Sequence, residues 1–329
     1  MNEHDITFDA MGSHVRLLIG EGGPELPPAA EAAEAARRFV LDYDAALSRF
    51  KPDSELCALN RDPRERVPAS STLRRAVRAG IDAAAASGGL VDPTLVDEIE
   101  AAGYVGSRAG MKGVPLDAAL AAAPPRRPAR PDPDQRWRGF LVDDEAGEIV
   151  RPPGLRFDTG GIGKGLAADL VAEQLRGYPR FIVDCGGDIR IGGVDALRSP
   201  YAVYAEHPLT GERAHVLRLG FGGIATSGLN VRIWRDDEGN FAHHLLDPAT
   251  GTPAWTGLIG VTALGDTALE AETLSKAALL SGPEGGKQLL GDRGGLLVHD
   301  SGWVEPVGPI AISPRIRIPE RPAMAGAWR

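Results

Sequence analysis

Residues 158–165 read Asp158-Thr159-Gly160-Gly161-Ile162-Gly163-Lys164-Gly165. A short apolar stretch precedes them and an amphipathic helical pattern follows, so the backbone N–H groups of the turn and the helix dipole form an anion cradle suited to phosphate. The segment is not a Walker A loop: Asp158 stands where the first glycine belongs, and Gly165 stands where Ser or Thr must meet Mg²⁺. Gly163-Lys164-Gly165-Leu166-Ala167-Ala168 also fits the dinucleotide pattern G-x-G-x-x-A, with Asp184 placed 21 residues after Gly163. That reading, a Rossmann-type oxidoreductase, requires a parallel sheet of βαβ units. A plain tight turn joining strand to helix is the structural alternative.

Outward from the loop, period-3.6 patterning predicts helices over Ala29 to Leu47 and near Ser71 to Ala86. Two further helices carry stop signals: Gly165 to Arg176, ended by Gly177, and Thr267 to Leu280, ended by Gly282 and Pro283. Thr267 followed by Glu270 has capping-box spacing. Short apolar or alternating runs predict strands at Arg156–Phe157, Phe181–Val183, Tyr201–Ala205, Val216–Leu219, Val231–Trp234 and Leu296–His299. The mixture implies an α+β fold. Residues 124–134 hold five prolines, which end any helix there and mark an exposed loop or the softest seam between two lobes of one 1–310 domain. The remaining 311–329 is expected to be a poorly ordered tail.

Composition narrows the function. Of 329 residues, 43 % are hydrophobic and 25 % charged, ordinary globular values that supply a core. A formal net charge of -9 without a basic run argues against general nucleic-acid binding, which must neutralise phosphates. Cys57 and Cys185 are far apart and form neither a disulfide framework nor a metal-ligand spacing. The first ten residues lack the basic end and apolar run of a secretory signal, and no stretch reaches membrane-spanning length. The expectation is a cytoplasmic protein without a membrane anchor.

A series of motifs then resembles the ApbE family of FAD:protein FMN transferases. Met11-Gly12-Ser13 is similar to the family's M-G-T, Ser48 to Leu56 with Leu59-Asn60 to S-x-[YF]-x-x-x-S-E-[IL]…LN, and Val91-Asp92-Pro93-Thr94 to F-D-P-T. The 158–165 loop resembles D-L-G-G-I-A-K-G. Further on, Gly186-Gly187-Asp188-Ile189-Arg190 resembles G-G-D-I-R, Ala225-Thr226-Ser227-Gly228 resembles A-T-S-G, and His244 to Gly251 resembles H-I-I-D-P-x-T-G. The matches run in order from Met11 to about Gly286.

The resemblance implies two T-fold-like β-sheets flanked by helices, with a flavin cleft between them. It also implies cleavage of FAD and attachment of FMN by a phosphoester bond to a Thr or Ser of an acceptor flavoprotein, with release of AMP. Non-catalytic flavin binding and FAD pyrophosphatase activity are the alternatives. The positions matching FAD contacts are Met11, Phe50, Leu90, Val91, Asp92, Asp158, Lys164, His244 and Leu246. Aromatic and apolar members suit a flavin ring, Lys164 a phosphate and Asp92 a ring or ribose hydrogen bond. For Phe50, Leu90 and Leu246 plain core burial is the competing reading. His244 follows His243 in a strand-like stretch and is a candidate base for the acceptor hydroxyl.

The implied Mg²⁺ site departs from the family pattern A-D-x-x-x-T. Gly161 offers a backbone carbonyl and Glu272 and Ser275 offer side chains, but Lys276 stands where a hydroxyl ligand is expected. An ammonium does not ligate a hard cation. Lys276 either supplies the positive charge itself, leaves Mg²⁺ bound weakly through Glu272 and water, or merely forms an i,i+4 pair with Glu272.

Overall fold

The computed structural model describes residues 3–108, 113–236 and 238–310. The expected disordered tail, 311–329, lies outside these residues. Eight strands form one sheet in the order the chain makes them: Glu3–Ala10, Ser13–Gly20, Phe181–Cys185, Ile189–Gly192, Gly222–Gly228, Leu258–Gly265, Gly295–His299 and Val304–Val307. Every pairing in it is antiparallel. The Rossmann alternative therefore falls, because parallel neighbours joined by helical crossovers are absent from this sheet.

The sheet narrows in the middle. Ile189–Gly192 and Gly222–Gly228 share only the pairs Gly222 with Ile191, Gly223 with Arg190 and Ile224 with Ile189, whereas Gly222–Gly228 pairs with Leu258–Gly265 along its length from Gly223 to Gly228. Each four-stranded half has the same plan: two strands, helices, two strands. The expected α+β organisation of antiparallel sheets flanked by helices is present.

Local sequence accounts for most elements. In Ser13–Gly20, Val15, Leu17 and Ile19 are fully buried while His14 and Arg16 are exposed, the period-2 alternation of a half-buried strand. Met11 (φ 53°) and Gly12 (φ 67°) form the two-residue turn before it, the positive-φ pair that matches the twist of a hairpin. The Ala29–Leu47 helix buries Ala29, Ala33, Ala36, Val40, Tyr43 and Leu47, one face at three- and four-residue spacing. Ser70 caps Ser71–Ala86 by accepting from the Leu73 N–H at 3.2 Å, a contact of about 1 kcal/mol.

Several boundaries differ from expectation. The helix after the glycine loop is Gly163–Gln174, two residues earlier at each end, because the loop's last residues already take helical geometry. Ala268–Leu280 begins after Thr267, which caps it by accepting from Glu270 N–H at 3.1 Å. Glu270 bonds the Asp266 N–H at 2.7 Å rather than that of Thr267, so only half of the capping box forms. Arg156–Phe157 is not a strand: the Phe157 backbone is held instead by the Asn60 side chain, through two bonds of 2.8 Å. The strand expected at Val231–Trp234 is Ile233–Arg235, paired with Phe241–His243.

Leu258–Gly265, central in its half, escapes sequence reading because residues 258–263 are all buried, which erases the alternation of a one-faced strand. Residues 124–134 form a mostly exposed loop, as expected, and are tied to the body: Arg127 N–H bonds Trp255 O at 3.0 Å, Ala129 N–H bonds Leu280 O at 2.8 Å, and Arg130 N–H bonds Asp247 Oδ1 at 2.9 Å.

Candidate functional site

A cleft runs along the 158–164 loop as two adjoining chambers of about 290 and 110 Å³, whose walls share Tyr104, Asp158, Gly160 and Arg232. The larger chamber holds Met11, Phe50, Asp158 and Lys164 from the expected set. The smaller holds Leu90, Val91, Asp92, Asp158, Gly161, His244, Leu246 and Lys276. Every expected flavin-contact position thus lines one cleft, although those positions span residues 11–246. A separate groove of about 1020 Å³ on the far side of the Val96–Ala101 helix contains none of them.

The motifs position these side chains by local bonds. Met11 owes its place to the hairpin turn. Asp92 Oδ1 accepts from the Thr94 N–H (2.8 Å) and Oγ (2.6 Å), and the Pro93 carbonyl accepts from Asp158 N–H at 2.8 Å; the D-P-T segment is therefore a rigid turn that fixes the start of the glycine loop. Asp92 Oδ2 is buried and has no partner, and burial raises the pKa of this carboxyl above the ordinary value. An orphan acceptor beside a cleft is costly unless a ligand donor meets it. Phe50 packs edge-on against Tyr104 at 5.3 Å between centroids, with the Arg49 guanidinium 4.5 Å from its ring.

The two histidines divide as the strand geometry requires. His243 is fully buried against Trp255 at 4.7 Å, and desolvation pushes its pKa down to about 3. His244 lines the cleft. Its Nδ1 lies 3.4 Å from the Arg232 carbonyl; a carbonyl only accepts, so the proton is assigned to Nδ1 and Nε2 keeps the lone pair. Burial first, then the positive charges of Arg232 and Lys276, hold His244 well below the usual histidine pKa.

Beneath the loop lies a buried charge network. Tyr43 OH donates to the Gly163 carbonyl at 3.0 Å. The Ile162 and Gly163 N–H groups turn back onto the Thr159 carbonyl at 3.0 and 2.7 Å. The Gly165 N–H donates at 2.8 Å to Glu272 Oε2. Part of the expected anion cradle is thus filled by the protein's own acceptors, and Glu272 occupies the helix N-terminus as its anion. The Gly160, Gly161 and Lys164 amides make no backbone bond of this kind among the described residues.

The arrangement is reciprocal: Asp169 on the first helix accepts from the Ala268 and Leu269 N–H groups at 2.9 Å each, capping the second. Only glycine at 165 permits it, since a Cβ there would lie 2.7 Å from Ala268 O. Lys164 is bonded to Asp188; desolvation opposes its charge, but Asp188 and Glu272 outweigh that and raise its pKa. Asp184, the dinucleotide-pattern acid, instead accepts from Gly187 N–H at 2.7 Å in a turn.

Gly161, Glu272 and Ser275 do not fit a magnesium ion. Mg²⁺ demands near-octahedral oxygen ligands. Fully buried Glu272 gives Oε2 to Gly165 and Oε1 to Lys276 Nζ at 2.8 Å. Ser275 Oγ donates to the Glu272 carbonyl at 3.0 Å and meets Ser227 Oγ at 2.8 Å. No group of three or more His, Cys, Asp or Glu able to hold a metal occurs among the described residues.

Arg49, Tyr104 and Arg232 line the cleft but were not singled out from sequence. Arg49 sits inside the quoted Ser48 to Leu56 motif and could have been found there. Its guanidinium is nearly buried, bonds the Tyr104 carbonyl at 3.0 Å and lies 3.6 Å from Asp158. Arg232 carries no local signal beyond lying four residues after the A-T-S-G motif.

Fold and site together define a class: an antiparallel α+β protein with a cationic cleft between loops from both sheet halves. The chain belongs to the ApbE family, whose sequence model matches residues 11–298. It is 29 % identical over 273 residues to a FAD:protein FMN transferase of Klebsiella pneumoniae, covering 80 % of this chain and 75 % of that one. It is 27 % identical over 290 residues to a FAD:protein FMN transferase of Haemophilus influenzae, covering 82 % and 78 %. The fold is similar to that of the ApbE protein of Thermotoga maritima, with TM-score 0.76 and 24 % identity over 93 % of this chain and 97 % of that one. The apo flavinyl transferase ApbE of Pseudomonas stutzeri superposes with TM-score 0.72 and 25 % identity over 93 % and 95 %. Among the described residues no helix is long and apolar enough to cross a membrane.

Proposed function

We propose that this chain is a FAD:protein FMN transferase that takes FMN from FAD and attaches it to a Thr or Ser hydroxyl of an acceptor flavoprotein, releasing AMP. The observation that carries the reading is the convergence, on one cleft, of an apolar wall (Met11, Phe50, Leu90, Val91, Leu246) with cations (Lys164, Arg232, Lys276) at the glycine loop. The apolar wall suits the isoalloxazine ring, and the Asp92 Oδ2 suits an N–H or O–H of the ligand. Lys164, with the Gly160 and Gly161 amides, suits the pyrophosphate.

In the transfer, the acceptor oxygen forms a bond to the FMN phosphorus as the pyrophosphate P–O bond breaks, and the bridging oxygen departs with AMP. The hydroxyl proton passes to His244 Nε2 and then to solvent. A low His244 pKa keeps the ring in its proton-accepting form, and a loose phosphoryl transition state asks little of a base. Catalysis then rests on positioning and on positive charge against the phosphate oxygens.

The test is incubation with FAD and an acceptor carrying a Thr or Ser flavinylation site. AMP together with a covalent flavin mass on the acceptor is the expected result. AMP and free FMN alone would make the protein a pyrophosphatase, bound unaltered FAD a carrier, and no flavin affinity would refute the reading.

A further inference from the structure

We propose that this cleft supplies its phosphate-stabilising charge from side chains, Lys276 assisted by Arg232, and operates without a divalent cation; the inference rests on the transferase reading above. Three observations point the same way. Both Glu272 oxygens are committed to nitrogen donors, one on the Gly165 amide and one on Lys276. A metal at Glu272 would have to displace the lysine or the helix N-terminus, and the ammonium beside it repels any cation that approaches. The nearby hydroxyl, Ser275 Oγ, is itself buried and directed at backbone.

Lys276 is placed to act outward. Its side chain is 12 % exposed while Glu272 is 0 %, and it lines the smaller chamber with Asp158, Gly160, Gly161, Arg232 and His244. Only one of the three ammonium donors is spent on Glu272, which leaves two for phosphate oxygens. Glu272 and Lys276 cancel in charge, as do Lys164 and Asp188. Arg232 has no ion-pair partner among the described residues and lines both chambers, so its guanidinium is left for the phosphates, while the unpartnered Asp92 carboxyl of the smaller chamber is left for a ligand donor. A buried anion that orients the lysine, a lysine that touches the ligand and an arginine that balances its phosphates together do what a bound cation does elsewhere: they neutralise the nonbridging oxygens and the oxygen leaving with AMP.

The experiment compares the full chain in EDTA and in Mg²⁺, scoring AMP release and acceptor flavinylation, and titrates it with Mn²⁺ in the presence of FAD, followed by electron paramagnetic resonance. Expected are equal turnover in both media and no Mn²⁺ bound at the FAD-loaded cleft. Lys276→Thr should lower metal-free turnover by about 100-fold and gain Mn²⁺ binding; Lys276→Arg, which keeps the charge, should recover metal-free turnover without gaining Mn²⁺. Turnover that collapses in EDTA and returns with Mg²⁺, or stoichiometric Mn²⁺ on the native chain, overturns the inference while leaving the transferase reading intact. Should FAD bind without turnover in either medium, the transferase reading falls and this inference with it. Neither native-chain measurement depends on a variant that folds.

Discussion

Replacing Gly165 with Ala tests the contact on which the buried network is built. The added Cβ would sit 2.7 Å from Ala268 O and 2.8 Å from Ala268 C and Leu269 Cα. These are backbone atoms at the start of a helix and have no rotamer to yield, so the helices must part by roughly 0.7 Å to reach ordinary contact at 3.4 Å. Overpacking of this kind costs about 1–3 kcal/mol. The parting also stretches the 2.8 Å bond from Gly165 N–H to Glu272, a charge-assisted contact worth about 1.5–3 kcal/mol. Partial loss of the second term gives an expected destabilisation of about 2–4 kcal/mol. Urea unfolding measures it, with the slope unchanged, and flavin fluorescence titration should show weaker FAD binding because Lys164 sits next to Gly165 in one of the parted helices. A Gly165→Ala protein within about 0.5 kcal/mol of the native one, the range of an ordinary surface change, would refute the close-approach argument.

Other outcomes follow from the same structure. Asn60→Ala removes both bonds to the Phe157 backbone and should cost about 1–3 kcal/mol in urea unfolding, while weakening FAD affinity through the adjoining loop. Asp92→Asn keeps the turn to Thr94 but places a donor where Oδ2 awaits one; FAD affinity should fall about tenfold or more, with stability little changed, as titration calorimetry would show. For His243, the folded pKa of about 3 lies below the unfolded 6.5, so the unfolded chain binds the extra proton. Its contribution is therefore complete above pH 6.5 and is lost as pH falls towards 3, at about 1.4 kcal/mol per pH unit. His243→Asn should flatten the decline of unfolding free energy between pH 6.5 and 5 by about 2 kcal/mol, and an unchanged slope would contradict the burial argument.

The legible part of this protein was the part written in short-range chemistry. Helix faces at 29–47 and 71–86 and the cap at Thr267 follow from neighbours within one or two turns of chain. The motif residues were found by their resemblance to the family's motifs, and the structure holds them by contacts a few residues away, as Asp92 by Thr94.

Residues 158–165 alone left three readings open, and only the antiparallel pairing of the sheet removed the dinucleotide one. Whether Glu272 and Lys276 were a surface pair, a metal site or a buried couple was likewise undecided, because burial is a property of what packs above a helix. The tertiary structure sets the Gly165 amide on Glu272, brings Arg49, Tyr104 and Arg232 to the same cleft, and sends His243 inward and His244 to the cleft wall. Sequence singled out most of the side chains that line the cleft; long-range packing added Arg49, Tyr104 and Arg232 and decided which polar atoms are already spent on the protein's own partners.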